Sequence, residues 1–153
     1  MRWGRAVRNS WAIPKRIFDF TAALGGLVVL SPVMLAVAVL VRATSPGPAL
    51  FIQRRVGRGG KIFRCAKFRT MGAGAQDHGT VTTAADVRVT PLGRFLRRTK
   101  LDEMPQLWNV LIGRMSFVGP RPDVPGYADR LQGADRVILE LRPGITGPAT
   151  LLF

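Results

Sequence analysis

The stretch Thr99–Pro122, TKLDEMPQLWNVLIGRMSFVGPRP, places two adjacent carboxylates, Asp102 and Glu103, at the head of a short apolar run. Gly113 stands where a glycine that ends a helix is expected. Three apolar residues between these points have the i, i+3, i+4 spacing of a helix face: Leu107, Val110 and Leu111. The pattern predicts a short helix that has the acidic pair at its start and ends at Gly113.

Arg121 follows on a turn in which it is held between two prolines, Pro120 and Pro122. An acidic pair at a helix start and a guanidinium on a rigid turn suit a site that holds a metal ion and a phosphate. A structural interpretation stands beside this one. Thr99-x-x-Asp102 resembles a capping box, and acids in a first helical turn complement the helix dipole. The spacing alone leaves both interpretations open.

The composition points to an anionic partner. The chain has 153 residues, 23 Lys and Arg against nine Asp and Glu, and a formal net charge of +14. Such a charge favours nucleic acid, an anionic membrane or a phosphorylated substrate. One cysteine, Cys65, and one histidine, His78, exclude a disulfide framework, a multi-cysteine zinc site and a two-histidine metal site on this chain. We interpret His78 as a solvent-exposed loop residue.

A run of 22 uncharged residues from Phe20 to Val41 is long enough to span a bilayer as a helix. Two observations favour a re-entrant hairpin instead. Ser31-Pro32 interrupts the run near its middle, where proline removes a backbone donor, and basic residues flank both ends, although Lys and Arg favour the cytoplasmic side. A spanning helix with a proline kink is the alternative.

The segments after the apolar run suggest a small mixed domain. Ala49–Gln53 and Lys61–Arg69 are strand candidates joined by the glycine-rich bend RRVGRGG, which predicts a hairpin. Residues 72–90 are predicted to form a loop. After Pro122, apolar residues recur at three- and four-residue steps and predict an amphipathic helix, packed on the protein or on the membrane surface. They are Tyr127, Leu131, Ala134, Val137, Ile138 and Leu141.

A series of ordered motifs from about Lys15 to Gly147 resembles the bacterial sugar transferases, the monotopic phosphoglycosyl transferases that act on polyprenyl phosphates. The motifs are Lys15-Arg16-x-Phe18-Asp19, Ser31-Pro32, Gln53-x-Arg55-x-Gly57, Lys67-Phe68-Arg69-Thr70-Met71, Asp86-x-Arg88-x-Thr90, Leu96-Arg97-Arg98-Thr99-x-Leu101-Asp102-Glu103-x-Pro105-Gln106-Leu107, Asn109-Val110-Leu111, Met115-Ser116, Val118-Gly119-Pro120-Arg121-Pro122 and Arg142-Pro143-Gly144-Ile145-Thr146-Gly147.

The resemblance implies transfer of a sugar-1-phosphate from a nucleotide diphosphate sugar to a polyprenyl phosphate, which initiates glycan assembly. In that picture Asp102 is the covalent nucleophile, and Glu103 with Asp102 holds Mg²⁺, a hard ion suited to carboxylate and phosphate oxygens. Carboxylates are known covalent nucleophiles in phosphoryl chemistry. Six residues at motif positions are candidates for substrate contacts: Lys67, Arg69, Arg97, Gln106, Pro120 and Arg121.

The predicted fold class is therefore α/β, mixed and mainly helical, with a re-entrant helix–break–helix hairpin at Ser31-Pro32. We divide the chain into a basic juxtamembrane segment, 1–16, a membrane hairpin, 17–42, and a cytoplasmic catalytic domain, 43–153. Family domains continue beyond the last motif, so we expect the catalytic domain to be truncated at its C-terminus. The expected location is the cytoplasmic face of the inner membrane, on anionic phospholipid. Self-association is left open.

A membrane-anchored nucleic-acid-binding module is the alternative class, because the net charge and the apolar anchor would permit it. The basic residues are not interleaved with a row of aromatic residues, and no recognised nucleic-acid motif occurs in the sequence. This alternative also leaves Asp102, Glu103 and the Gly119–Pro122 turn without a role. Nucleic acid is therefore not the expected partner.

Overall fold

The structure is a computed structural model, and it describes residues 12–72, 88–126 and 128–147. The chain forms two compact units. The first unit comprises Met1–Val29, Arg54–Cys65 and Gln106–Phe153, and the second comprises Leu30–Gln53 and Ala66–Pro105. The predicted loop at 72–90 lies mostly outside the described residues, as does His78. Its two ends are joined by an antiparallel bridge between Met71 and Val89.

The apolar run lies in one helix, α1, Ala12–Thr44, which continues through Ser31 and Pro32. The prediction of two helical arms separated by a break is therefore wrong for the helix itself. Proline removes only one main-chain hydrogen bond, and a long helix can absorb that loss by bending instead of ending. The helix extends at least five residues ahead of the predicted membrane segment, since Ala12–Arg16 of the predicted basic segment are helical.

Helix α1 is long and apolar enough to cross a membrane, by its length and composition. Most of its large apolar side chains are exposed to solvent: Ile13, Ile17, Phe18, Phe20, Leu24, Val28, Val29, Val33, Leu35, Val39 and Leu40. A soluble protein rarely leaves a continuous apolar surface of this kind uncovered. The exposure is consistent with a membrane-anchored protein.

The beginning of α1 is attached to the first unit by polar contacts. Arg16 donates through Nη1 to the carbonyl of Val110 at 2.6 Å and through Nη2 to that of Leu111 at 2.7 Å. Asp19 is buried, pairs with Lys15 at 3.6 Å and accepts from the backbone N–H of Phe117 at 3.3 Å. The Lys15-Arg16-x-Phe18-Asp19 motif therefore has a structural role.

The end of α1 belongs to the core of the second unit. Val37 and Val41 are buried with Phe68 and Leu96, and other apolar residues pack around them: Met34, Ala38, Ala49, Leu92, Leu101 and Met104. Each end of the apolar helix is thus fixed to chain that follows it in sequence.

The predicted hairpin is confirmed. Strand β1, Leu50–Val56, and strand β2, Ile62–Phe68, form a two-stranded sheet, with a 3₁₀ turn at Arg58–Gly60 between them. Backbone bonds from Gly57 to Lys61 and from Arg69 to Ala49 close its two ends. The first strand extends three residues beyond its predicted end.

Helix α2, Pro91–Thr99, begins at a well-formed cap. The Thr90 hydroxyl accepts from the backbone N–H of Gly93 at 2.9 Å, and Pro91 occupies the first helical position, where its missing N–H costs no helical bond. The predicted short helix is confirmed as α3, Gln106–Leu111, but the acidic pair does not lie at its start, because Asp102 and Glu103 belong to a separate 3₁₀ turn. Gly113 follows it with a φ of 81°, as expected for a glycine that ends a helix.

A parallel strand pair was not predicted. Strand β3, Ser116–Val118, pairs with β4, Gly144–Thr146, with Ser116 opposite Gly144. The backbones approach so closely that a Cβ on Gly119 would lie 2.3 Å from the carbonyl oxygen of Arg142. Two glycines of the sequence motifs, Gly119 and Gly144, are therefore required by this crossing.

The predicted amphipathic helix after Pro122 is wrong. The described residues form two 3₁₀ segments, Ala128–Arg130 and Gly133–Glu140. Ala128 and Leu139 are buried against Val56, whereas Val137, Ile138 and Leu141, which the helical pattern placed on one apolar face, are exposed. A 3₁₀ helix repeats every three residues, so the α-helical spacing selected the wrong face.

Candidate active site

Asp102 lies in a 3₁₀ turn, Leu101–Glu103, that directly follows α2. The reversal between the two elements is made by Lys100, whose φ of 60° is the only positive value at a non-glycine residue in the described chain. Left-handed backbone costs an ordinary residue about 1–2 kcal/mol. Strain of this kind is common where a structure fixes a functional side chain.

The capping-box interpretation of Thr99 and Asp102 is wrong. Thr99 is the last residue of α2, and its hydroxyl donates to the carbonyls of Phe95 at 2.9 Å and Leu96 at 3.2 Å. The 3₁₀ turn that holds Asp102 is capped at Lys100, and no side chain hydrogen-bonds to the backbone at that cap. Two residues, Met104 and Pro105, separate the acidic pair from α3.

The carboxyl group of Asp102 is buried and incompletely bonded. Only 7% of the residue is exposed, and its Oδ1 atom has no hydrogen-bond partner among the described residues. A buried polar atom without a partner is unfavourable by about 1–3 kcal/mol. Such an atom is informative, because folded proteins pair nearly all their buried polar groups.

Charges around Asp102 act in opposite directions on its pKa. Burial raises the pKa of the carboxyl above its usual range, and the neighbouring Glu103 carboxylate raises it further, while Lys67 and Arg97 lower it. A buried acid that faces two cations and a second acid is a common arrangement at functional sites. The structure thus brings together four predicted site residues: Lys67, Arg97, Asp102 and Glu103.

The two cations are positioned by different elements. Lys67 lies in β2, and its ammonium stands 5.4 Å from the centre of the Phe51 ring on β1. Arg97 lies in the last turn of α2, and its Nε donates to the hydroxyl of Thr70 at 2.9 Å. Thr70 stands in one of the sequence motifs without an assigned role, and Phe51 stands outside the motifs, because both contacts depend on tertiary packing.

Arg69 has a structural role in this unit. Its Nη1 donates to the carbonyl of Pro46 at 2.8 Å and its Nη2 to that of Ser45 at 2.6 Å. These carbonyls directly follow the C-terminus of α1, where a cation complements the helix dipole. Gly47, beside the guanidinium, has a φ of 111°, a backbone conformation that favours glycine.

The remaining candidates lie in the first unit. Gln106 is buried at the start of α3. Pro120 accepts from the backbone N–H of Gly144 at 2.9 Å, and the next residue, Arg121, is exposed. The carbonyl of Pro122 accepts from Arg55 Nη1 at 2.9 Å. These bonds fix the turn that carries Arg121; the substrate contacts of Gln106, Pro120 and Arg121 stay predictions.

The donor set at Asp102 suits a small hard cation. Among the described residues, no group of three or more His, Cys, Asp and Glu side chains could hold a metal ion. Mg²⁺, however, needs few protein ligands, since it binds through one or two carboxylates together with substrate phosphates and waters. Asp102, with its unpaired oxygen, and the adjacent Glu103 fit that requirement.

Comparison with known proteins finds relatives that are named as sugar-phosphate transferases or exopolysaccharide production proteins. A UDP-N-acetylgalactosamine-undecaprenyl-phosphate N-acetylgalactosaminephosphotransferase of Aeromonas hydrophila is 40% identical over 146 residues, which cover 93% of this chain and 34% of the relative. A UDP-glucose:undecaprenyl-phosphate glucose-1-phosphate transferase of Xanthomonas campestris pv. campestris is 43% identical over 145 residues, or 91% of this chain and 30% of the relative.

A third relative, the exopolysaccharide production protein PSS of Rhizobium leguminosarum bv. phaseoli, is 42% identical over 145 residues, which cover 90% of this chain and 72% of the relative. The chain thus spans about a third of the length of the first two relatives and more of the third. Residues 10–152 match the family described as bacterial sugar transferase. The chain therefore belongs to the bacterial sugar transferase family.

Proposed function

We propose that the chain carries the catalytic centre of a phosphoglycosyl transferase. It would move a sugar-1-phosphate from a nucleotide diphosphate sugar to a polyprenyl phosphate. Family membership supports this proposal, as do relatives named as UDP-sugar:undecaprenyl-phosphate transferases. The observation that carries the assignment is the buried carboxyl of Asp102, which has an unpaired oxygen and two neighbouring cations.

We assign Asp102 as the nucleophile of a two-step displacement. One carboxylate oxygen forms a bond to the sugar-proximal phosphorus, and the bond from that phosphorus to the nucleoside monophosphate breaks. The enzyme then holds the sugar phosphate as an acyl phosphate. In the second step an oxygen of the polyprenyl phosphate attacks the same phosphorus, and the Asp102 carboxylate leaves. Both steps proceed without a net proton transfer.

Lys67 and Arg97 are assigned to the phosphates. Both lower the pKa of Asp102 and so favour the ionised form that attacks. The guanidinium of Arg97 can also bind phosphate oxygens bidentately. We leave Arg69 out of the site, because both of its terminal nitrogens already bond to backbone carbonyls. Arg121 is retained as a substrate contact on the strength of its motif.

Mg²⁺ is the proposed cofactor, held by Glu103 and Asp102. When bound, it would neutralise charge on the diphosphate and ease the departure of the nucleoside monophosphate. The buried, unpaired oxygen of Asp102 supports this assignment, because such an oxygen can serve as a ligand to a cation.

We further propose that α1 enters and leaves the membrane on its cytoplasmic side, so that the protein is monotopic. Its first turns bond to the first unit through Arg16 and Asp19, and its last turns pack in the core of the second unit. The chain after α1 passes repeatedly between these units. A spanning helix would place its two docked ends on opposite sides of the bilayer. Pro32 supplies the position at which α1 can bend.

The test is incubation with UDP-glucose or UDP-N-acetylgalactosamine in Mg²⁺, without any polyprenyl phosphate, followed by intact-mass measurement and peptide mapping. Wild type and Glu103→Gln should acquire a sugar phosphate on the peptide that holds residues 101–114, and Asp102→Asn should not. An adduct on another residue, or turnover by a folded Asp102→Asn variant, would refute the assignment. Release of nucleoside diphosphate instead of monophosphate would refute the reaction class.

A further inference from the structure

Thr70 is a buried polar residue that the proposed mechanism does not use. It follows β2 and is only 3% exposed. Its hydroxyl oxygen accepts from Arg97 Nε at 2.9 Å. Its carbonyl accepts from the backbone N–H of Thr90 at 3.0 Å and from the Thr90 hydroxyl at 3.3 Å. Thr70 therefore joins the beginning of α2 to the arginine in its last turn.

Gly93 allows helix α2 to approach Thr70 this closely. A Cβ at position 93 would lie 2.0 Å from the Thr70 carbonyl oxygen and 2.7 Å from its carbonyl carbon. Arg97 stands four residues later, on the same face of the helix. The contact at Gly93 therefore sets the distance at which the Arg97 side chain reaches the Thr70 hydroxyl.

The bond from Nε leaves the rest of the guanidinium available. Among the described residues, Nη1 and Nη2 of Arg97 make no hydrogen bond. Arginine binds phosphate best when two parallel N–H groups are presented in a fixed plane. A bond at Nε restricts the rotation of the side chain and fixes that plane, so less conformational entropy is lost when a phosphate binds.

We propose that Thr70 is a positioning residue, which holds the guanidinium of Arg97 through Nε so that its two terminal nitrogens face the diphosphate of the donor. This inference rests on the proposed function, in which Arg97 contacts phosphate. The competing interpretation is that the bond only holds α2 against the end of β2. The two differ in what happens when the hydroxyl is removed while the shape of the side chain is kept.

The experiment compares Thr70→Val, which keeps the shape and loses the hydroxyl, with Thr70→Ser, which keeps the hydroxyl. Each is measured alone and with Arg97→Lys, which has no Nε donor. The readout is the rate of adduct formation from UDP-glucose or UDP-N-acetylgalactosamine at saturating and limiting concentrations. Thermal unfolding reports the stability of each variant. Thr70→Ala replaces Thr70→Val if the latter does not fold.

We expect Thr70→Val to slow adduct formation about tenfold or more, the loss typical of one hydrogen bond to a charged group. Thr70→Ser should remain within about threefold of wild type. In the Arg97→Lys background, Thr70→Val should slow adduct formation little further, because the effects of substitutions at two interacting residues are not additive. Equal rates for Thr70→Val and Thr70→Ser, or an undiminished effect of Thr70→Val beside Arg97→Lys, would overturn the positioning role.

Failure of the proposed function would be visible separately, because wild type itself would form no adduct. In that case NMR still tests the hydrogen bond between Arg97 Nε and Thr70. It measures how fast the Arg97 Nε–H exchanges with solvent, and the Arg97→Lys variant identifies the signal. Faster exchange in Thr70→Val than in wild type and Thr70→Ser supports the tether. Equal exchange in all three overturns it.

Discussion

At the scale of single residues, Asp102 shows how a site can oppose the stability of its own fold. The carboxyl is buried beside Glu103, and its raised pKa means that the folded protein binds the Asp102 proton more tightly than the unfolded chain does. The stabilising contribution of this group is complete below the unfolded pKa, near 3.9, and is lost as pH rises through the folded pKa. An ionised Asp102 therefore destabilises the metal-free protein at neutral pH.

Asp102→Asn should accordingly raise the thermal stability of the metal-free protein at pH 7, while it abolishes adduct formation. Asparagine resembles the protonated acid at every pH, so the gain should shrink towards zero near pH 4. A gain of about 1 kcal/mol would raise the Tm of a chain this size by roughly 2–4 °C. The measurement is thermal unfolding in detergent with chelator across this pH range.

The matched control for this experiment is Glu140→Gln, since Glu140 is an exposed acid. Glu140→Gln removes the same negative charge at a different place, so a gain found only in Asp102→Asn does not come from the change in net charge. A Tm for Asp102→Asn at or below that of wild type at pH 7 would contradict the argument, and would mean that the Asp102 carboxylate stabilises the fold.

Arg69 gives a second prediction at this scale. It belongs to the same motif as Lys67, but its terminal nitrogens bond to the carbonyls of Ser45 and Pro46. Arg69→Met should therefore destabilise the fold by about 2 kcal/mol or more, because two bonds from a charged donor are lost. Lys67→Met should mainly slow adduct formation. Thermal unfolding and adduct kinetics on both variants check this, and the reverse pattern would place Arg69 at the phosphate.

At the scale of elements, helix α2 is held against the chain by a contact that admits no side chain. In an ordinary helix, alanine is more favourable than glycine by about 1 kcal/mol. A Cβ on Gly93, however, would meet the backbone of Thr70 at 2.0–2.8 Å. Gly93→Ala should therefore destabilise the protein by about 2 kcal/mol or more. It should also slow adduct formation, because Arg97 moves with the helix.

Gly25 in α1 provides the control, since a Cβ there would meet nothing within 4 Å. Gly25→Ala should leave adduct formation near wild type and should not lower the Tm, because alanine favours the helix and its Cβ meets no neighbour. The two variants are compared by thermal unfolding in the same detergent. If Gly93→Ala were as stable as Gly25→Ala, the close approach of α2 to Thr70 would be refuted.

Elements with local signals were the ones that the sequence predicted well. The hairpin has a glycine-rich bend between alternating strands, and α3 has a helical apolar pattern closed by Gly113. Strands β3 and β4 are three residues each and pair across 28 positions, so no local pattern reveals them. The prediction of an amphipathic helix after Pro122 was wrong for a related reason, because apolar spacing does not distinguish a 3₁₀ helix reliably from an α-helix.

Some residues of the candidate site could likewise be predicted from the sequence, and others could not. The acidic pair and two cations were found from motif positions, and the structure places Lys67 and Arg97 close enough to act on Asp102. The partners of those cations, Phe51 and Thr70, come from other segments. Their roles depend on how strands and helix pack, which composition and periodicity do not encode.

At the scale of the whole molecule, the arrangement of α1 decides where the chemistry takes place. Its large apolar side chains are mostly exposed, which is consistent with a membrane anchor, and both of its ends are fixed to chain that follows it in sequence. No second apolar segment of comparable length occurs after Val41 that could return the chain across a bilayer. The monotopic arrangement that we propose, with the basic flanks of α1 on the same side of the membrane, can be tested by labelling.

We expect single cysteines placed at positions 5 and 58, in a Cys65→Ser background, to be labelled from the same side of the membrane. A membrane-impermeant maleimide should leave both unmodified in intact cells and modify both in inverted vesicles. Replacement of Ser31-Pro32 by Ala-Leu restores the missing backbone donor and should favour a straight helix. A straight helix would then move one of its basic flanks across the bilayer. The contacts of Arg16 and Asp19 would be lost, and adduct formation would fall. Labelling of positions 5 and 58 from opposite sides in the otherwise unaltered protein would show that α1 spans the membrane.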